Sequence, residues 1–109
     1  MNTFNSELSP TALAISLQMR AKAGQRQKLH GILSSFVAPS RTEDGCVCYY
    51  MHQAADDPDL FMVYMCWRDR AAFDVHLKVP RIWAFDHEMF NDVVEKSEYI
   101  EWHHLGDAP

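Results

Sequence analysis

The residue best suited to moving a proton in this sequence is His76. It lies on the apolar side of a helical pattern together with Phe73 and Leu77. An imidazole with an unperturbed pKa of ~6.5 can accept or donate a proton near neutral pH. The alternative is a core histidine that is satisfied by a backbone carbonyl or that braces a neighbouring loop. The sequence therefore makes His76 a candidate catalytic residue and leaves a structural role open.

Four further side chains between residues 49 and 81 are candidates for holding a ligand. Tyr49 and Tyr64 can each donate a hydrogen bond from a phenol group. Both lie on predicted strands, where register sets the face and a slip of one residue reverses it. Pocket, dimer interface and ordinary core therefore all remain open for them. Trp67 can stack on a flat ligand or pin the corner between a strand and a helix, and Arg81 can clamp an anion or form a surface salt bridge.

Adaptable apolar side chains suit the walls of a pocket for a flat hydrophobic ligand. Methionine is the most adaptable of them, and we expect Met65 and Phe73 to contribute to such a wall. Filling an ordinary core is the simpler use of both. The chain is 12% aromatic over 109 residues. That richness favours a ligand pocket, a partner interface or a heavily packed core.

The three cysteines favour neither a metal site nor a disulfide scaffold. Cys46 and Cys48 point to the same face of a predicted strand and are too locally tethered for an ordinary disulfide. Zinc sites typically use paired ligands at wider spacing, so no metal is predicted. With Cys66 the count is odd, which fits a reduced, cytoplasmic compartment. The polar residues 1–10 show no signal-peptide pattern.

Charge and hydropathy exclude two classes of partner. The formal net charge is −5, from 10 Lys and Arg against 15 Asp and Glu. The cations are scattered, so neither nucleic acid nor an anionic membrane surface is an expected partner. No apolar run approaches the roughly 20 residues that a membrane-spanning helix needs.

Hydrophobic periodicity predicts the order β-α-β-β-α-β. Alternation and helical spacing predict strands over 13–20, 46–53, 60–67 and 98–104, and helices over 25–37, 70–79 and 82–93. Pro39 is expected to end the first helix, and Pro80 to divide the second helical region. Residues 54–59 are expected to form a turn between the second and third strands.

This order predicts an α+β, ferredoxin-like fold, in which helices cover one face of a four-stranded antiparallel sheet. We expect a single domain over residues 1–109, with a core over about 13–104 and loose termini at 1–11 and 105–109. The third strand is apolar on both faces, although the helices can cover only one. An uncovered apolar face marks an interface, so we expect a homodimer through the sheet face.

The chain resembles the antibiotic biosynthesis monooxygenase family over about residues 13–104. The similarity is carried by the order and spacing of several short marks, none of them specific by itself. These marks are Lys22-Ala23-Gly24, Ser40-Arg41 with Glu43, Gly45-Cys46, Tyr49, Trp67, Asp69 and His76.

The resemblance implies a dimeric α+β barrel with a small pocket between helices and sheet in each subunit. It also implies oxidation of a phenolic or quinol-type aromatic by dioxygen with no cofactor, since the deprotonated substrate supplies the electrons. His76 would then accept or orient a proton, and Trp67 would stack on the substrate. Tyr49 or Tyr64 would donate hydrogen bonds to it, with Met65, Phe73 and Arg81 as further substrate contacts.

Two positions depart from the family pattern. Many members carry Glu where this chain has Met65, and many have a Pro-His pair where this chain has Pro80-Arg81. These changes favour an alternative in which the protein is a non-catalytic dimer that binds a small aromatic ligand. An isomerase or a haem-degrading relative of the same fold are further alternatives.

Overall fold

A computed structural model describes residues 11–105; residues 1–10 and 106–109, which hold most of the predicted loose termini, lie outside the described residues. Strands and helices alternate as the periodicity predicts. In chain order they are β1 (Leu13–Ala21), α1 (Arg26–Arg41), β2 (Cys46–Ala54), β3 (Asp57–Trp67), α2 (Arg70–Lys78), α3 (Pro80–Ala84), a π-helical turn (Phe85–Met89), α4 (Phe90–Val93) and β4 (Val94–Trp102).

The four strands form one antiparallel sheet in the order β2-β3-β1-β4. The two central strands bury alternate side chains against the helices, among them Ile15 and Met19 of β1 and Phe61 and Trp67 of β3. This arrangement confirms the predicted α+β, ferredoxin-like fold. In the part of the chain that the structure describes, no helix is both long enough and apolar enough to cross a membrane.

Helix α1 continues past Pro39, so the prediction that this proline ends the helix was wrong. Pro39 lies in the last turn, where its missing N–H removes a single hydrogen bond and the helix still ends two residues later, at Arg41. The backbone N–H groups of Thr42 and Glu43 then donate to the carbonyls of Pro39 and Ser40, at 3.2 and 3.1 Å. This tight end brings the side chains of Ser40 and Glu43 toward the interior.

Other differences from the predicted elements concern strand ends and the regularity of the second helical region. Strands β2 and β3 extend into the predicted turn and leave only residues 55–56 between them. Strand β4 begins at Val94, four residues before the predicted 98, because Val94 pairs with Ala21 beyond a bulge in β1. The helix predicted over 82–93 contains the π-helical turn Phe85–Met89. Single π turns of this kind interrupt α-helices frequently at functional sites.

The second face of the sheet carries large apolar side chains that no described helix covers. Tyr64 of β3 pairs with Tyr50 of β2 and with Ser16 of β1, which places all three on this face. Trp102 of β4 also lies here, and its Nε1 donates to the Ser16 hydroxyl at 2.8 Å. Tyr50 and Trp102 are 51% and 48% exposed. The prediction that β3 is apolar on both faces is therefore confirmed.

Candidate active site

A cavity of about 290 Å³ lies between the helix-covered face of the sheet and the helices packed on it. Its walls are mostly aliphatic, aromatic and methionine side chains, and four of its residues carry polar groups. The lining residues are Leu17, Met19, Leu33, Phe36, Tyr49, Met51, Val63, Met65, Phe73, His76, Leu77, Ile82, Phe85, Asp86, Phe90 and Tyr99.

His76 projects from α2 into the wall of this cavity and is only 1% exposed. Asp69 caps the helix by accepting from the N–H of Ala72 at 2.9 Å, which fixes where α2 begins after β3. The Nδ1 atom of His76 lies 3.0 and 3.2 Å from the two carboxylate oxygens of Glu43. Because a carboxylate only accepts, we assign the ring proton to Nδ1, so Nε2 keeps its lone pair.

Arg81 supports both Glu43 and Tyr49 from one guanidinium. Its Nη2 donates to Oε2 of Glu43 and, at 3.2 Å, to the hydroxyl of Ser40. Ser40 is completely buried, and it acts against burial to lower the pKa of the Tyr49 phenol. Since the Ser40 oxygen accepts from Arg81, we assign its own proton to the side of Tyr49. The Tyr49 proton then remains available to a molecule in the cavity.

Burial sets the protonation states of His76 and Tyr49, the two polar side chains at the inner end of the cavity. It lowers the pKa of His76 below 6.5, and the Glu43 carboxylate only partly opposes this effect. Burial raises the pKa of Tyr49 to about 12, with Ser40 and Arg81 acting in the opposite direction. At neutral pH the cavity therefore presents an imidazole that can accept a proton and a phenol that can donate a hydrogen bond.

Trp67 packs behind His76 and does not line the cavity. The two ring centroids lie 4.6 Å apart, and Trp67 is completely buried. Its Nε1 has no hydrogen-bond partner among the described residues. Phe73 stacks on the histidine ring at 6.3 Å and does line the cavity. The two aromatic rings therefore hold the orientation of His76, and only Phe73 is placed to contact a ligand as well.

The remaining candidates divide between the two faces of the sheet. Met65 pairs with Tyr49 across β2 and β3, and both side chains line the cavity. Tyr64 lies on the opposite, uncovered face, away from His76. Arg81 is bound to Glu43 and Ser40 and does not line the cavity. The structure thus brings His76, Tyr49, Met65 and Phe73 together and does not bring Tyr64 into the same site.

Sequence reasoning missed the roles of four residues at this site. Glu43 and Ser40 appeared only as marks of a resemblance, because a loop and a helix end have no periodicity that points to a partner. Asp86 and Tyr99 were not identified, since their places depend on the π-helical turn and on the register of β4. The one sequence signal that could have identified Ser40 and Glu43 is their spacing of three residues just before the strand predicted over 46–53.

The thiols are free and lie outside the cavity. Burial raises the pKa values of Cys46 and Cys66 to about 11, so both are protonated at neutral pH. Cys48 pairs directly with Cys66 on the uncovered face of the sheet. Within residues 11–105, no three His, Cys, Asp or Glu side chains are grouped in a way that could hold a metal ion.

Comparison with known proteins gives one family. The family model for antibiotic biosynthesis monooxygenase matches residues 12–87, a range that contains Glu43, Tyr49, His76 and Arg81. The protein named "Putative monooxygenase Rv0793" of Mycobacterium tuberculosis is 33% identical over 72 residues, which are 66% of this chain and 68% of that protein. The uncharacterized protein sll1783 of Synechocystis is 27% identical over 85 residues, or 78% of this chain. The match spans only 52% of sll1783, about half of its length.

Solved structures show the same architecture. The crystal structure of PA3566 from Pseudomonas aeruginosa superposes with a TM-score of 0.82 at 29% identity, covering 88% of this chain and 96% of that one. The structure of Rv0793 superposes with a TM-score of 0.80 at 21% identity, covering 90% and 99%. At 21% identity, the similarity to Rv0793 shows the fold alone.

Proposed function

Because this chain belongs to the antibiotic biosynthesis monooxygenase family, we propose that it is a monooxygenase that oxidises a phenolic or quinol-type aromatic with dioxygen and without a bound cofactor. The observation that carries the proposal is the contact between His76, which is buried at the wall of an apolar cavity, and the mostly buried carboxylate of Glu43 behind it. A flat apolar molecule fits such walls, and a base within them can ionise it.

The first chemical step is removal of a proton from the substrate. Nε2 of His76 accepts the proton of a phenolic hydroxyl, and the positive charge that forms on the ring is stabilised by Glu43 at 3.0 Å. Tyr49 donates a hydrogen bond to the substrate oxygen on which negative charge develops. Arg81 supports His76 through Glu43 and supports Tyr49 through Ser40.

The second step is reaction of the substrate anion with dioxygen. The anion supplies the electrons; one oxygen atom bonds to a ring carbon and the other leaves as water. For a hydroquinone the balanced products are a hydroxyquinone and water. The apolar walls, including Phe73 and Met65, keep bulk water away from the anion while it reacts.

Oxygen uptake tests the proposal. We expect the purified protein to consume dioxygen under air when it is given anthrones or hydroquinones, and His76→Ala to lose that uptake while it still binds the compounds. His30→Ala is the matched control, because His30 is exposed and does not line the cavity. No uptake by the natural protein with any of these compounds would contradict the proposal.

A second candidate function is ligand binding without turnover, favoured by one feature of the cavity. Met65 lines the wall at a position where the resemblance leads one to expect a carboxylate. On this alternative, aromatic compounds raise the melting temperature and are recovered unchanged after incubation in air. Recovery of oxidised product would exclude it.

We further propose that the protein is a cytoplasmic homodimer in which the uncovered sheet faces pack on one another. The support is the set of exposed or half-exposed apolar side chains on that face, including Tyr50, Tyr64 and Trp102. Free thiols at all three cysteines fit a reducing compartment.

A further inference from the structure

We infer that the substrate carries a second polar group, a hydrogen-bond donor, at the end away from its ionisable hydroxyl, and that Asp86 and Tyr99 receive it. The inference rests on the proposed function, because it concerns the substrate of the same cavity. It starts from the distribution of polar groups along the walls. His76 and Tyr49 are 1% and 3% exposed, whereas Tyr99 is 48% exposed and Asp86 is also exposed. The cavity therefore has an inner polar end and an outer polar rim.

Tyr99 presents an acceptor at this rim. Its hydroxyl donates to Oε2 of Glu101 at 2.8 Å, and Oε1 of the same carboxylate accepts from Arg70 at 2.5 Å. The phenol proton is thus engaged within the protein, and the phenol oxygen keeps a free lone pair. Partial burial and Glu101 raise the pKa of Tyr99 to about 12, so the group remains a protonated phenol at neutral pH.

Asp86 presents a second acceptor, which residues 11–105 leave unoccupied. The π-helical turn packs Phe85 into the core and leaves the neighbouring Asp86 at the edge of the cavity. No described residue forms a hydrogen bond or an ion pair with its carboxylate. Burial raises the pKa of the Asp86 carboxyl, and among the described residues His87 acts in the opposite direction. The carboxylate oxygens of Asp86 therefore remain available to a ligand.

Among the described residues, the outer polar rim presents the acceptors of Asp86 and Tyr99, and these acceptors select the chemistry of the ligand. A hydroxyl or amino group can donate to Asp86 or Tyr99, whereas a carboxylate, sulfate or phosphate would be repelled by Asp86. The cavity volume of about 290 Å³ is close to the lower limit of ligand pockets, roughly 300–1,000 Å³. The substrate class is therefore a small aromatic, with an acidic hydroxyl at one end and a hydroxyl or amino donor at the other.

Direct binding measurements test the inference. The probes are a naphthol with no other substituent and three derivatives that carry a hydroxyl, an amino or a carboxylate group on the far ring. We expect the hydroxyl and amino derivatives to bind the natural protein about 10- to 100-fold more tightly than the plain naphthol, as a hydrogen bond to a charged acceptor allows. The carboxylate derivative should bind most weakly.

Substitution of the rim acceptor should remove this preference. In Asp86→Ala the derivatives and the plain naphthol should bind within about threefold of one another, and in Asp86→Asn the carboxylate derivative should gain affinity because the repulsion is gone. Asp92→Asn is the matched control, because Asp92 is exposed on the adjacent α4 and does not line the cavity. A preference that persists in Asp86→Ala, or that is absent from the natural protein, would overturn the inference.

Oxygen uptake with the same probes separates this inference from the proposed function. Preferred binding without uptake would contradict the monooxygenase and leave the two-ended ligand site standing. Oxygen uptake with both the plain naphthol and the hydroxyl derivative, combined with equal binding affinity for the two, would contradict the two-ended ligand site and leave the monooxygenase standing.

Discussion

The Nδ1 atom of His76 lies 3.0 Å from the Oε1 atom of Glu43, although the two residues are 33 positions apart in the chain. The contact joins the last turn of α2 to the loop that follows α1. It orients the ring so that the other nitrogen is free for chemistry, as a carboxylate does when it holds the imidazole of a proton-transfer pair.

Glu43→Gln should lower turnover by about 100-fold or more and change ligand affinity little. The amide can donate to Nδ1 and so favour the wrong ring tautomer, and it cannot stabilise the imidazolium; general-base catalysis contributes about 10²–10⁴-fold. Steady-state oxygen uptake and ligand titration would measure the two effects. Asp44→Asn is the control, since the neighbouring Asp44 carboxylate is exposed and pairs with Arg68. Equal losses in both variants would contradict the role of Glu43.

Tyr49→Phe should lower turnover by about 10- to 100-fold while the fold is kept. The substitution removes the hydroxyl that donates to the developing negative charge, and one such donor contributes a few kcal/mol or less to the transition state. Tyr64→Phe is the matched control, because that phenol lies on the opposite face of the sheet. Kinetics of the two variants with one hydroquinone would compare them. A larger loss in Tyr64→Phe would show that the cavity is not the site of reaction.

The pH dependence of stability should carry the signature of a buried neutral histidine. The pKa of His76 is lower in the folded protein than its usual 6.5, so the unfolded chain binds more protons between the two values. Stability should therefore fall as the pH is lowered from about 6.5 through the native pKa. Carboxylates with lowered pKa values, such as Asp44 and Asp57, contribute to a separate loss below about pH 4.

Urea unfolding at about pH 7.5 and about pH 5 would measure this effect. In His76→Gln, whose amide can still donate to Glu43, the difference between the two pH values should shrink. His30→Gln, on the exposed surface of α1, should retain the full difference. An unchanged pH dependence in His76→Gln would assign the loss to other groups.

Gly45→Ala should destabilise the loop that carries Glu43 by about 2 kcal/mol or more. Gly45 has φ of 83°, where an L-residue is strained, and an added Cβ would lie 2.6 Å from the Cβ of Ala72. Thermal melts should show a decrease in Tm of about 8 °C or more.

Gly31→Ala is the control for Gly45→Ala, and we expect it to change stability in the opposite direction. Gly31 lies within α1, and an added Cβ would meet nothing within 4 Å. We expect this substitution to stabilise the protein by about 0.5–1 kcal/mol. Similar melting temperatures for the two variants would contradict the tight contact at Gly45.

Tyr64→Glu should weaken the proposed dimer. The substitution places a charge at the centre of the uncovered face, where burial against a second copy would be costly. Val75→Glu is the control, because Val75 is 62% exposed on α2, on the helix side of the sheet. Light scattering at micromolar concentration should show dimers for the natural protein and for Val75→Glu. A stable monomer for the natural protein would end the proposal.

Sequence patterns identified the elements correctly and misplaced several of their ends. Alternation along β1 and β3, and the cap at Asp69, act through neighbours a few residues away, so they are visible in the chain itself. The continuation of α1 past Pro39 and the early start of β4 are different, because both depend on pairing or packing with distant segments. The site residues divide in the same way: His76 was predicted from the local pattern of its helix, whereas Glu43 was missed because its role depends on a contact between distant segments.

The sequence by itself determined the ferredoxin-like order of elements and the placement of His76 on the buried side of α2, because both follow from local periodicity. Only the tertiary structure decided that Tyr49 faces the cavity and Tyr64 does not, since one register of β2 on β3 fixes both. It likewise placed Trp67 behind His76 and brought Glu43 to its Nδ1 atom. The physical reason is that register and side-chain pairing depend on contacts between residues far apart in the chain, which no local pattern records.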